Sequence, residues 1–192
     1  MLIVVRHGRT EANASGLLLG RGDPALDDLG RRQAAALRDV VAGAARTVSS
    51  PLRRTRETAD ALGLPVTVDD RWIELDYGAL EGTPLRDVPT ELWARWSTDL
   101  TYAPEGGESL AAVGARVRAA CEDLAEEAAE HDVVVVTHVS PLKAAVAWAL
   151  AVGDEVTWHL YAAPAGVTRV ATSGPRRSLH TYNVTAHLDA LE

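Results

Sequence analysis

The stretch Leu2-Ile3-Val4-Val5 is followed directly by Arg6-His7-Gly8 at the start of the chain. A short apolar run bounded by glycine is typical of a central strand in a parallel sheet. Because such sheets bind ligands at the carboxyl ends of their strands, this strand would deliver an arginine and a histidine to a ligand site. A guanidinium beside an imidazole can clamp an anion and attack it, which predicts a phosphate site. Taken alone the tripeptide is weak evidence, since an isolated histidine is more often a structural residue.

A second apolar run also ends in a histidine. Val133-Val134-Val135-Val136 is uninterrupted and β-branched, which predicts the most buried strand of the sheet. It ends in Thr137-His138, and Ser140-Pro141 then predicts the start of a helix. A second histidine would therefore lie at the same edge of the sheet, just before a helix N-terminus able to attract an anion.

Strand and helix patterns alternate along the rest of the chain. Further strands are predicted at residues 47–49 and 65–68, and helices start at Asp27 or Asp28, at Ser50-Pro51 and at Ser109. Ser50 is predicted as the N-cap of its helix, with Pro51 in the first turn. Residues 167–172 and 178–182 predict a hairpin. The expected fold is a three-layer α/β/α sandwich whose mostly parallel sheet has an antiparallel edge.

One segment is less regular than the rest. Glycines and prolines interrupt residues 79–107, and we predict a short lid or specificity insert there within a single domain, residues 1–192. One helix of this insert would carry Trp93 and Trp96. Tryptophans are more often core anchors than substrate contacts, and both interpretations stay open.

Composition excludes several classes of protein. The formal charge is −8, from 19 Lys and Arg against 27 Asp and Glu, which argues against a nucleic-acid or anionic-membrane binder. Cys121 is the only cysteine, so an intrachain disulfide and a cysteine-cluster zinc site are excluded. Four apolar residues before Arg6 are too few for a signal peptide, and later apolar runs are too short for a membrane span. We expect a cytoplasmic protein.

Four sequence blocks resemble the histidine phosphatase superfamily, also called phosphoglycerate mutase-like. They are Arg6-His7, Ser49-Ser50-Pro51-Leu52-Arg53-Arg54-Thr55, Trp72-Ile73-Glu74-Leu75-Asp76-Tyr77-Gly78 and Thr137-His138. Gly20-Arg21-Gly22-Asp23-Pro24 is similar to a further block of that family. The resemblance covers nearly the whole chain, and the joint occurrence of these blocks in this order is specific.

The resemblance implies a role for each residue. His7 would be the nucleophile that forms a phosphohistidine, and Glu74 would protonate the leaving alkoxide and then activate water. Arg6, Arg53 and His138 would grip the phosphoryl oxygens. It implies no metal and no cofactor. The positions that would contact substrate are Asn13, Leu19, Gly20 and Val139.

The resemblance leaves the reaction partly open. The family contains phosphatases and mutases, and the short insert lacks the longer basic segment of phosphoglycerate mutases, so hydrolysis is favoured. A non-catalytic phosphate-binding module is the alternative from another class of protein, although His7 and Glu74 are both present.

The sequence differs from the family at Arg9, where many relatives have glutamate. This arginine would add positive charge near the site. Residues 137–143 and 178–188 look most like small acid phosphatases and α-ribazole phosphatase. A small phosphorylated substrate and a possible homodimer are expected, and His159 and His180 are left as structural or mouth-lining residues.

Overall fold

A computed structural model describes residues 1–191 and shows one six-stranded sheet with helices on both faces. The strand order is β3-β2-β4-β1-β5-β6. The first four strands of this order pair in parallel, and β5 and β6 join antiparallel at one edge. The strands are β1 (Leu2–Arg6), β2 (Arg46–Ser49), β3 (Val66–Val68), β4 (Val133–Thr137), β5 (Val167–Ala171) and β6 (Ser178–Val184).

Within the described residues, α-helices cover both faces of the sheet. Helices α2 and α3 pack on one face and α5 and α6 on the other. The predicted three-layer α/β/α sandwich, mostly parallel with an antiparallel edge, is confirmed. The helices are α1 (Glu11–Ala14), α2 (Asp28–Val40), α3 (Arg53–Ala61), α4 (Thr90–Thr98), α5 (Leu110–Glu130) and α6 (Val139–Leu150). Within residues 1–191, none of the helices has the length and apolar character to cross a membrane.

The two histidine-bearing strands lie side by side at the centre of the sheet. β1 pairs with β4 in parallel, with Leu2 opposite Val133 and Arg6 opposite Thr137. Because successive side chains of a strand point to opposite faces, Val4 packs toward α5 and α6 while Val5 packs toward α2 and α3. Both faces are covered, which explains the uninterrupted apolar runs.

Two helix starts follow the predicted caps. Asp27 caps α2 by accepting the N–H of Gly30, and Ser109 caps α5 by accepting the N–H of Ala112. Each side-chain oxygen satisfies a backbone donor that has no partner inside its helix.

The predicted start of α3 is wrong. The helix begins at Arg53 rather than at Pro51, and its N-cap position is Leu52, which makes no side-chain cap bond. The Ser50 hydroxyl lies 2.7 Å from Nε2 of His138 instead. A tertiary hydrogen bond to a buried imidazole has thus taken the side chain that the pattern assigned to a cap. Helix α6 begins one residue before the predicted Ser140.

The insert, residues 79–107, packs against the loop that follows β1. Leu18 donates its N–H to the Thr83 carbonyl, and Gly82 donates to the Leu18 carbonyl. Farther along the insert, Leu85 donates to the Gly16 carbonyl. These backbone bonds place the start of the insert over the carboxyl end of β1, while α4 buries Trp96 against the core.

Burial in β4 generates a stability prediction. Val135 is fully buried, whereas Val68 in β3 is 45% exposed. Val135→Ala removes two methyl groups from a packed core and should lower the free energy of unfolding by about 2 kcal/mol. The same deletion in Val68→Ala should cost less than about 0.5 kcal/mol. Urea unfolding of both variants checks this, and equal losses would contradict the assignment of β4 as the core strand.

Candidate active site

A cleft of about 420 Å³ opens at the carboxyl ends of β1 and β4. Its floor is formed by Arg6 and His7, which leave β1, and one wall is formed by Glu74. The N-terminus of α6 and the loop after β1 complete it. Its lining includes Arg6, His7, Arg9, Asn13, Leu18, Leu19, Glu74, Tyr77, Leu85, Val139, Lys143, Tyr161 and Ala162.

His7 is held in one orientation at the bottom of this cleft. Its side chain is buried, and Nδ1 lies 2.7 Å from the carbonyl oxygen of Gly8. Because a carbonyl can only accept, Nδ1 carries the proton and Nε2 keeps its lone pair. Gly8 has no room for a side chain, since a Cβ there would come within 2.4 Å of the Gly30 carbonyl oxygen.

A single guanidinium lies between the two histidines. Nε of Arg54 is 3.3 Å from Nε2 of His7 and 3.2 Å from Nδ1 of His138. Its terminal nitrogens donate to the carbonyl oxygens of Gly22 at 2.6 Å and Gly20 at 2.8 Å. Arg54 is fully buried, so the flat fork of its N–H groups fixes both imidazoles and the loop at once.

His138 is placed by this arginine and by Ser50. Because Nδ1 accepts from Arg54, Nε2 carries the proton and donates to the Ser50 hydroxyl at 2.7 Å. The two imidazole rings meet edge to face with their centroids 5.1 Å apart. His138 is fully buried behind His7, with both ring nitrogens engaged.

Burial and neighbouring charges keep both imidazoles neutral. Burial lowers the pKa of His7 well below its usual range, and the charges of Arg54 and Arg6 lower it further. Burial, Arg54 and His7 have the same effect on the pKa of His138. Burial also lowers the pKa of Arg54 to about 10, with the Glu74 carboxylate opposing it. At neutral pH the site therefore combines neutral imidazoles with charged guanidinium groups.

Arg6 has donors left for an anion. One terminal nitrogen donates to the Ala162 carbonyl at 2.7 Å. Its Nε is buried and has no hydrogen-bond partner within the described residues 1–191. Arg6 lines the cleft, and its guanidinium has further N–H groups beyond the single bond to Ala162. Arg6 therefore suits an anion bound above His7.

Glu74 is held against the start of α6. Its carboxylate accepts the N–H groups of Val139 at 2.9 Å, Ser140 at 3.1 Å and Leu75 at 2.8 Å. The side chain is only 3% exposed. Glu74 thereby occupies the N-terminus of a helix whose own N-cap residue, His138, makes no side-chain cap bond. A carboxyl group is fixed in the wall of the cleft near His7.

Glu81 anchors the loop that holds Arg54. Its carboxylate accepts the N–H groups of Gly20, Arg21 and Gly22, at distances of 3.0 to 3.2 Å. The carbonyl groups of Gly20 and Gly22 are the acceptors of Arg54. The carboxylate thus orders the loop from the side opposite the guanidinium.

The structure brings together most of the predicted site residues. Arg6, His7, Glu74 and His138 converge within one site, with His138 behind His7 rather than in the cleft wall. The cleft is also lined by three of the predicted substrate-contact residues, which are Asn13, Leu19 and Val139. Asn13 forms a capping box with Thr10 that starts α1. The functional roles of all these residues stay predictions.

The prediction for Arg53 is wrong, because its neighbour Arg54 enters the site. The Arg53 side chain is 61% exposed and pairs with Glu57 at 2.7 Å on the surface of α3. That pair has i,i+4 spacing, which is typical of a solvated helix face. The fourth residue after Arg54 is Thr58, which is buried. The glutamate four residues after Arg53 thus indicates, from the sequence alone, that Arg53 rather than Arg54 lies on the solvated face of the helix.

Gly20 is also placed differently from its prediction. Its N–H donates to Glu81 and its carbonyl accepts from Arg54, so neither backbone group faces the cleft. His159 and His180 are exposed and do not line the cleft. Arg9 does line it, but it pairs with Asp27 at 2.7 Å, which offsets the added charge.

The chain is similar to known proteins over most of its length. The model of the histidine phosphatase superfamily (branch 1) matches residues 2–185. Phosphoserine phosphatase 1 of Hydrogenobacter thermophilus is 33% identical over 97% of this chain and 93% of its own. A bifunctional protein of Mycobacterium tuberculosis is 38% identical over 83% of this chain but only 47% of its own. The chain thus spans about half the length of that relative.

Two solved structures extend the comparison. A mycobacterial glucosyl-3-phosphoglycerate phosphatase in complex with VO3 has a TM-score of 0.86 and 31% identity, over 96% of this chain and 99% of its own. A candidate alpha-ribazole-5'-P phosphatase from Escherichia coli has a TM-score of 0.83 and 26% identity, over 95% of both chains.

The sheet has the strand order and the mixed parallel and antiparallel pairing of a phosphoglycerate mutase-like fold, and the family model matches nearly the whole chain. The chain belongs to the histidine phosphatase superfamily, branch 1.

The neutral histidines predict how stability depends on pH. Since the pKa of His7 and of His138 is lowered on folding, the unfolded chain binds protons near pH 6.5 that the folded chain excludes. Stability should therefore be complete above about pH 6.5 and fall below it, by up to about 1.4 kcal/mol per pH unit for each histidine. Urea unfolding between pH 7.5 and 5 measures this slope.

A matched pair of variants tests whether His138 contributes to this dependence of the unfolding free energy on pH. His138→Gln should make it shallower, whereas His131→Gln, at an exposed position, is the control. The same slope in the wild type and in His138→Gln would show that His138 is not kept neutral by the fold.

Proposed function

We propose that this chain is a phosphomonoesterase that hydrolyses small phosphorylated metabolites through a phosphohistidine on His7. The observation that carries the proposal is the lone pair of His7 Nε2, which is fixed at the bottom of a cleft lined by Arg6 and Glu74. The relatives named as phosphoserine and glucosyl-3-phosphoglycerate phosphatases support a phosphate ester as the substrate class.

The first step would transfer the phosphoryl group to the enzyme. Nε2 of His7 attacks phosphorus, and the bond between phosphorus and the ester oxygen breaks. Glu74, whose carboxylate accepts three backbone N–H groups in the free protein, takes up a proton from the solvent before this step and gives it to the departing oxygen, so that an alcohol leaves rather than an alkoxide. Arg6 and Arg54 spread the charge that develops on the equatorial oxygens.

Arg54 has a further part in this step. In the free protein its Nε–H points at the lone pair of His7 that must attack. An arriving phosphate oxygen is a stronger acceptor than an imidazole because it is charged. The phosphate would take over this N–H and leave the nitrogen free to attack. The Gly20 and Gly22 carbonyls, which accept from the terminal nitrogens, would keep the guanidinium in place, and His138 shares the same Nε–H.

The second step would return His7 to its starting state. Glu74, now a carboxylate, takes a proton from water, and the oxygen of that water attacks phosphorus. The bond between phosphorus and nitrogen breaks, and inorganic phosphate leaves. The lowered pKa of His7 favours an acid phosphatase, because the nucleophile stays unprotonated below the usual titration range of histidine.

Two alternatives use the same fold. A mutase would return the phosphoryl group to a second substrate, and a binding module would hold phosphate without turnover. The cytoplasmic location, the homodimer and the role of residues 79–107 as a lid stay predictions from the sequence.

Substitutions of His7 and of Glu74 should have different effects on turnover and on covalent labelling. His7→Ala should abolish both turnover and covalent labelling, because the fixed nitrogen is lost. Glu74→Gln should slow hydrolysis of an alkyl phosphate by about 10²–10⁴-fold, yet slow phosphoryl transfer from an activated aryl phosphate much less. Steady-state rates and rapid quench, with excess chelator present throughout, measure these effects. The quench of Glu74→Gln should trap phosphohistidine, which is labile to acid and stable to alkali.

Each part of the proposed function can be contradicted by a particular result. Labelling that persists in His7→Ala would remove His7 as the nucleophile, and equal losses for alkyl and aryl esters would remove Glu74 as the acid. Faster isomerisation of 3-phosphoglycerate than release of phosphate would indicate a mutase. Loss of activity in chelator, restored by a divalent metal, would contradict the metal-independent mechanism.

The two neighbouring arginines provide a matched comparison. Arg54→Met removes the donors to both imidazoles and to the bound phosphate, and kcat/KM should fall by about 10²–10³-fold or more. Arg53→Met removes only a surface ion pair and should leave kcat/KM within about twofold of the wild type. Circular dichroism checks that both variants fold, and Arg54→Lys retains the charge without the fork. A larger loss in Arg53→Met would reverse the assignment.

A further inference from the structure

A second cavity of about 230 Å³ continues from the cleft, and we name it the tryptophan chamber. The residues that line it without lining the cleft are mostly apolar, with two hydroxyl groups among them: Leu75, Trp93, Trp96, Leu110, Ser140, Thr157 and Trp158. It shares Leu18, Tyr77, Leu85, Val139 and Lys143 with the cleft above His7. The two spaces therefore meet along these shared residues.

Four aromatic side chains in the walls of the tryptophan chamber pack against one another. Trp93 stacks on Trp96 with ring centroids 5.7 Å apart, and Trp158 meets Trp93 edge to face at 6.1 Å. Tyr77 meets Trp96 edge to face at 5.7 Å. Trp96 is almost fully buried, so it fixes the cluster, while Trp93 and Trp158 are only partly buried. Such surfaces favour flat or branched apolar groups over small polar ones.

The position of Glu74 sets the direction in which a substrate would extend. Glu74 lines the cleft, while its neighbour Leu75 lines the tryptophan chamber. Val139 and Ser140, which hold the Glu74 carboxylate with their N–H groups, also line the chamber. The carboxyl group is thus at the boundary between the two spaces. An ester oxygen placed to receive its proton has phosphorus on the His7 side and its carbon skeleton on the chamber side.

From this arrangement we propose that the tryptophan chamber binds the leaving alcohol, and that the preferred substrates are phosphomonoesters of alcohols bearing an aromatic or branched apolar group. The proposal rests on the phosphomonoesterase function. A cavity of about 150 Å³ lined by aliphatic and aromatic side chains holds benzene, so this chamber has room for a somewhat larger group. A small polar alcohol would leave the three indole rings without contact.

Two esters with similar leaving groups test the chamber. Ethyl phosphate and 2-phenylethyl phosphate are both primary alkyl esters, so they differ mainly in the phenyl group. The kcat/KM of the wild type should be at least about tenfold higher for the phenylethyl ester. Trp93→Ala should reduce the ratio of the two kcat/KM values by about tenfold, whereas Leu150→Ala, an exposed apolar position at the end of α6, should leave the ratio unchanged.

A binding measurement separates this proposal from the proposed function. 2-Phenylethylphosphonate and ethylphosphonate resemble the two esters but cannot be hydrolysed, and calorimetry gives the ratio of their Kd values. Tighter binding of the phenylethyl compound that is lost in Trp93→Ala supports the chamber even where turnover fails. If neither ester is hydrolysed, the phosphomonoesterase function is wrong. If both esters are hydrolysed equally well, or if Trp93→Ala leaves the ratios unchanged, the chamber proposal is wrong.

Discussion

The buried guanidinium of Arg54 is the interaction on which the rest of the site depends. One flat group donates to an imidazole at the end of β1, to an imidazole at the end of β4 and to two carbonyls of the loop between β1 and α2. Burying a charge is costly unless it is hydrogen-bonded. Each of the three nitrogens of Arg54 has a partner, and these partners come from three segments, so none of the three can move independently.

The sequence predicted the parts of the site that follow from strand periodicity. The ends of β1 and β4 are fixed by their apolar runs, so His7 and His138 had to emerge at one edge of the sheet. Arg53 and Arg54 are adjacent in one helix, and the family resemblance assigned the phosphate contact to Arg53, whereas the i,i+4 pair with Glu57 places Arg53 on the solvated face. Local patterns could not show that Ser50 bonds an imidazole 88 positions away.

The tryptophan chamber could not be predicted from the sequence, for a different reason. Its walls come from the loop after β1, from residues around Glu74, from α4, from the start of α6 and from the turn before β5. Each tryptophan taken alone has the pattern of a core residue, and Trp96 is one. Only the packing of these segments shows that their apolar surfaces face a space joined to the cleft above His7.

The bonds between Glu74 and the first turn of α6 have a consequence for how a protein with the proposed function can diversify. Val139 and Lys143 lie on that helix and line the cleft, while its backbone holds the carboxylate to which we assign proton transfer. A substitution that tilts the first turn to accept a new alcohol also moves the carboxyl group relative to phosphorus. Changes of specificity on α6 are therefore coupled to changes of rate, whereas α4 can vary with less effect on the chemistry. New substrates should accordingly be acquired by mutation of the insert before mutation of the helix.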